Sequence, residues 1–116
     1  FSQFDVKTKG KQPETDGAEY YQHQMDLYSL MLFENKMQPS GNAYLDYWFP
    51  TTFTDIGDMG WGDRLFTLDT SCQRGREWLE NAVTIMTAGS APASSSKCEY
   101  CAYLTAYTNK GGVNGK

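Results

Sequence analysis

Phe4-Asp5-Val6-Lys7-Thr8, followed after a polar stretch by Gln24-Met25-Asp26-Leu27-Tyr28, is the part of the chain on which its reading turns. In a strand, residues two apart point to the same side, so Asp5 and Lys7 emerge together while Phe4 and Val6 face the other way. One face is then apolar and the other chemical. A carboxylate can hold Mg²⁺ or Mn²⁺ against a phosphate, and an ammonium roughly 7 Å along the strand can orient a water or stabilise a pentacovalent phosphorus. The competing reading of Asp5 and Lys7 is a solvated strand end in the run Lys7, Lys9, Lys11. Gln24 and Tyr28 stand four apart and share one helix face beside Leu27 and Met31. Taken by itself, that pair also suits an ordinary amphipathic helix.

The order of these parts is more specific than either one. A strand with Asp-x-Lys-Thr, a polar loop and a helix with Gln-x-x-x-Tyr resembles the PD-(D/E)XK nuclease superfamily, in its RecB-like exonuclease branch, which includes CRISPR-associated exonucleases; the likeness runs from Phe4 to Tyr107. The resemblance implies an α/β fold, a restriction-endonuclease-like mixed sheet flanked by helices. It also implies a metal-dependent deoxyribonuclease, an exonuclease of DNA recombination, repair or phage- or CRISPR-type DNA processing, with DNA as its partner. It assigns Asp5 and Lys7 as catalytic, Asp5 and the Val6 carbonyl as ligands of Mg²⁺ or Mn²⁺, and Gln24 and Tyr28 as substrate-binding residues. The family's first metal-binding acid lies upstream of the Asp-x-Lys strand. The chain therefore reads as the C-terminal part of such a domain over residues 1–108, lacking its N-terminal elements and inactive without them or a larger parent protein. Residues 109–116 read as a disordered tail.

Composition bounds the alternatives. With 116 residues, 40% of them hydrophobic and 15% aromatic, there is material for one small core. A net charge of −4 and a pI near 4.8 argue against broad electrostatic attraction to DNA, so any groove must be local. Lys7, Lys9 and Lys11 beside the site, with Arg74 and Arg76 at a helix start, are the candidates for it. There is no signal peptide and no membrane-spanning apolar run, so a cytoplasmic location is expected.

Asp16 with Glu19 has the spacing of a capping box, and the helix it starts should run to about Lys36 and stop at Pro39, Ser40 and Gly41. Ala43, Leu45, Tyr47 and Phe49 alternate with Tyr44, Asp46 and Trp48, as in a strand covered on both faces. The aromatics there read as core more than as a stacking platform for unpaired bases. Thr51 to Asp63, with Gly57, Gly60 and Gly62, reads as a long hairpin connection into a strand from Arg64 to Asp69. Thr70 and Gln73 offer a second capping-box spacing. The helix after them carries Trp78, Leu79, Ala82, Val83 and Met86 at helical intervals and ends by Gly89 and Pro92.

Cys98 and Cys101 have the two-residue gap that lets two thiolates bind one metal, which is half of a tetrahedral site for zinc. In the resembling family such a segment, with a third cysteine after it and a distant one before it, holds an iron-sulfur cluster. Here Leu104 to Thr108 contain no cysteine, which weakens the case for a cluster, and a disulfide between Cys98 and Cys101 ranks last, because an intracellular nuclease would keep its thiols reduced. Cys72 reads as a small buried side chain and not a ligand. His23 is rotated about 100° from Gln24 and reads as a surface residue. Two further readings remain open: a non-catalytic DNA-binding or scaffolding module with a degenerate nuclease fold, and a small structural domain organised by a metal at Cys98 and Cys101.

Overall fold

The computed structural model describes residues 1–110, and the chain divides into two compact units, Phe1–Ala82 and Val83–Lys116. The first holds strand β1 (Gln3–Thr8), helix α1 (Ala18–Glu34), strands β2 (Asn42–Phe53) and β3 (Met59–Asp69), and the start of helix α2 (Cys72–Thr87). The second holds the end of α2 and helix α3 (Glu99–Asn109). Asn109 belongs to α3 and Lys110 caps it. The rest of the expected tail lies outside the described residues. No helix among the described residues is long and apolar enough to cross a membrane.

The sheet is mixed, in the order β1-β2-β3. β1 runs parallel to β2, which demands a crossover, and α1 provides it; β3 returns antiparallel to β2. Register decides which side chains share a face. Asp5 lies beside Leu45 and Lys7 beside Tyr47, so the chemical face of β1 is also the apolar face of β2. There α1 packs, and Met25, Ala43, Leu45, Tyr47 and Leu68 form the core, joined by Ala18, Tyr21 and Phe66.

This inverts one expectation. Phe4 and Val6 do face away from Asp5 and Lys7, but theirs is the uncovered side, and they are 59% and 54% exposed. They share it with Tyr44, Asp46, Trp48, Thr67 and Leu65. β2 is accordingly covered on one face, not two. Tyr47 and Phe49 are core, as expected, whereas Trp48 is exposed.

Several boundaries moved for identifiable reasons. Helix α1 begins at Gly17, an N-cap in the left-handed region with φ 71°, and Asp16 Oδ1 accepts from Ala18 N–H at 2.9 Å instead of closing a capping box with Glu19. Only glycine fits at 17, since a Cβ would strike the Tyr47 hydroxyl. That hydroxyl donates to the Asp16 carbonyl at 2.8 Å, and burial, with Tyr21, Asp16 and Asp5 nearby, pushes its pKa up. The helix ends at Asn35, before Pro39. Asn35 Nδ2 and N–H donate to its last carbonyls, and Lys36 turns left-handed at φ 61°. The connection between β2 and β3 spans only residues 54–58. Gly60 and Gly62 belong to β3, where a Cβ on Gly62 would meet Thr51 at 2.9 Å and Phe49 at 3.2 Å. Those glycines are cross-strand clearance and not loop.

Candidate active site

β1 carries Gln3, Asp5 and Lys7 on the face that α1 covers, and α1 answers with Tyr21, Gln24, Tyr28 and Ser29. Lys7 Nζ stands 2.9 Å from Asp5 Oδ2 and donates to Gln24 Oε1 at 3.2 Å. It also lies over the Tyr21 ring, 4.3 Å from its centre. An ammonium only donates, so it selects the oxygen of the Gln24 amide and leaves Nε2 to donate to Tyr28 Oη at 2.9 Å. The four residues singled out from the sequence are thus brought into one connected chain, Asp5 to Lys7 to Gln24 to Tyr28. Asp5 and Lys7 keep 25% and 20% of their side-chain surface, enough for water or a phosphate to reach them.

Gln3 was not singled out, although it shares the face of Asp5 and Lys7 by the same two-residue period. Its Nε2 donates to the Met25 carbonyl at 2.6 Å and to Ser29 Oγ at 2.7 Å, which ties α1 to β1 and sets the depth at which Gln24 meets Lys7. Beside Gln24 and Tyr28 runs a groove of about 450 Å³ lined by Tyr20, Tyr21, His23, Leu27 and Met31. His23 is exposed, as expected, yet it lines this groove together with Gln24, and its ring lies 5.2 Å from Trp78.

The donors around Asp5 suit a hard divalent cation. Asp5 Oδ2 is shut off from solvent and accepts no hydrogen bond; the ammonium of Lys7 is its charge partner. Along β1, Phe1 C=O and Lys9 N–H turn toward β2, so alternation turns the Val6 carbonyl to the open edge of the strand. One carboxylate and one carbonyl are part of an oxygen site. Among the described residues no three His, Cys, Asp or Glu side chains converge to complete one.

The cations expected to form a DNA groove divide. Lys7 and Lys9 lie at the site end of β1, Lys9 over the Tyr47 ring at 5.2 Å. Arg74 and Arg76 are engaged within the protein. Arg74 grips the fully buried Asp26 with Nε to Oδ2 at 2.9 Å and a second nitrogen to Oδ1 at 3.1 Å, and Arg76 pairs with Glu34 at 2.7 Å. Asp26 also accepts from Ser71 N–H and Gln22, and a Cβ on Gly75 would come within 2.6 Å of the Asp26 carbonyl. Asp26 is therefore the anchor for the start of α2, where Ser71 Oγ, not Thr70, accepts from Arg74 N–H. Nothing in the local sequence distinguished it from a solvated helix acid.

Two features lie apart from Asp5. On the open sheet face, a hydrogen bond with Asp46 raises the Asp63 carboxyl above the usual range, while Asp46 Oδ2 accepts from Trp48 Nε1 at 2.8 Å. In the second unit, Cys98 caps α3, and the hydrogen bond with the Cys101 side chain, then the Cys101 N–H, pull its thiol below the usual value. Cys72, half-buried at the start of α2, is the third free thiol.

A model of the PD-(D/E)XK nuclease superfamily matches residues 2–106. Searches of the curated proteins and of the solved structures found no match. The mixed sheet with flanking helices is consistent with that superfamily's fold.

Proposed function

We infer that this chain, which belongs to the PD-(D/E)XK nuclease superfamily, takes part in divalent-metal-dependent cleavage of DNA, as a RecB-like exonuclease of recombination, repair or phage- or CRISPR-type DNA processing in the cytoplasm. The observation that carries this reading is the connected chain Asp5, Lys7, Gln24 and Tyr28, which joins the two acting residues of the strand to two supporting residues of the helix. Nucleases of this superfamily generally use divalent metals. Asp5 and the Val6 carbonyl would hold Mg²⁺ or Mn²⁺, which when bound supplies Lewis-acid polarisation of the phosphate and a more acidic water.

The remaining steps belong to the protein. Lys7, positioned by Asp5 and Gln24, donates toward the water or the phosphate oxygen on which charge develops. Gln24 restricts Lys7 to one direction, and Tyr28 accepts from the other end of the amide that Lys7 orients. The aromatic groove beside them gives an unpaired base a surface on which to stack. In this reading the described sheet is the C-terminal part of the domain, and the remaining metal-binding acid comes from an element laid along the open edge of β1.

The test is Mn²⁺-dependent cleavage of labelled DNA by the full-length protein and by its Asp5→Ala and Lys7→Ala versions. Each substitution should lower the rate by about 100-fold or more, with melting curves showing that the fold persists. Unchanged cleavage in both would sink the assignment. The low basicity, a net charge of −4, favours one other reading, a non-catalytic DNA-binding or scaffolding module with a degenerate nuclease fold. It predicts DNA binding with no metal-dependent turnover in any version.

A further inference from the structure

The second unit carries nucleophilic side chains that the site around Asp5 does not use. Cys98 is the N-cap of α3, and its Sγ accepts from Cys101 N–H at 3.1 Å. Its carbonyl accepts from Ala102 N–H at 3.1 Å, so the first turn of the helix closes around both cysteines. A sulfur thus takes the place that a serine or aspartate oxygen usually fills at a helix start. The amide held against it, together with the positive end of the helix, favours the thiolate there.

Cys101 carries its own sulfur on the residue whose N–H makes that contact. The two side chains already share a hydrogen bond, and two intervening residues in a first helical turn allow a disulfide to close. Both are free thiols, partly accessible, and both line a cavity of about 410 Å³ whose wall includes Ser94, Ser95, Ser96 and Thr105. That polar wall suits a small hydrophilic reactant.

We propose that Cys98 and Cys101 form a reversible thiol–disulfide exchange site that reacts with low-molecular-weight disulfides of the glutathione-disulfide class. The Cys98 thiolate attacks one sulfur of the reagent; its S–S bond breaks, and the departing thiolate takes up a proton equivalent to the one Cys98 released. The Cys101 thiolate then attacks Cys98 Sγ in the mixed disulfide. The bond from Cys98 to the attacked sulfur of the reagent breaks, the Cys98–Cys101 disulfide forms, and that sulfur leaves as the second small thiol with the proton equivalent from Cys101. Two electrons pass from the cysteine pair to the reagent, and excess small thiol reverses the sequence. This inference does not depend on the nuclease reading.

The experiment equilibrates the full chain with mixtures of glutathione and glutathione disulfide, alkylates the remaining thiols, and reads each cysteine by peptide mass spectrometry. Cys98 and Cys101 should lose alkylation together, along a two-electron titration curve, while Cys72 stays alkylated. Cys101→Ser should trap one glutathione on Cys98, at a rate about tenfold or more above that of Cys101 in Cys98→Ser. The wild-type titration needs neither variant, so misfolding of a variant leaves the test standing. Independent modification of all three cysteines at similar rates would overturn the proposal. So would stoichiometric zinc or iron, in protein as purified, that keeps both thiols from reacting.

Discussion

The two faces of the β1-β2-β3 sheet are built from the same strands and similar residues, yet they have different fates. On one, Leu45, Ala43 and Tyr47 lie under α1 beside Asp5 and Lys7, and Leu45 is fully buried. On the other, Leu65, Phe4 and Val6 surround Asp46, and Leu65 is 53% exposed. Apolar character alone therefore does not say where the core lies. What separates the faces is the helix, tied by Gln3 to Met25 and Ser29 and by Tyr47 to the loop before α1. The polar residues of the candidate site are thus held on the better packed side, where a positioned ammonium and carboxylate are least free to wander.

The largest expected effect comes from comparing leucines across the sheet. Leu45→Ala should cost about 3 kcal/mol in denaturant unfolding, the usual result of emptying a closed core position. Leu65→Ala should cost less than about 1 kcal/mol, because water already reaches that side chain. Equal losses would mean that the second face is covered in solution. Next, Asp26→Asn should cost about 2 kcal/mol, since it weakens charge-assisted bonds to Arg74 and leaves an amide facing a guanidinium. A neutral result would remove Asp26 as the anchor of α2. Tyr47→Phe should cost about 1 kcal/mol through the single lost hydrogen bond to Asp16, and a chain as stable as wild type would show that packing alone places the loop.

The smallest effect belongs to the open face and depends on pH. The Asp63 carboxyl is raised, so the folded chain binds its proton more readily than the unfolded chain does. Its contribution to stability is complete below the unfolded-state carboxyl pKa and disappears as pH rises through the raised folded value. Asp63→Asn should therefore melt slightly above wild type at neutral pH, with the advantage shrinking as the solution is acidified through the carboxyl range. A difference constant with pH would rule out proton sharing between Asp46 and Asp63.

Much of the candidate site was legible in order and spacing. The alternation along β1 placed Asp5 with Lys7, and the four-residue interval placed Gln24 with Tyr28. The superfamily match extends across both segments and on to Cys98 and Cys101. The misses share a cause. Gly60 and Gly62 resembled loop because their reason for being glycine is Phe49 and Thr51 on the neighbouring strand. Arg74 and Arg76 resembled free cations because their partners, Asp26 and Glu34, are dozens of positions away.

The sequence by itself determined which side chains travel together on each element, because strand and helix periods are properties of the local backbone. Only the tertiary structure decided which of those faces meets a neighbour. That choice rests on strand register, on the side of the sheet over which α1 crosses, and on ion pairs between distant residues. Each is a long-range pairing whose stabilisation exists only once the partners have been brought together.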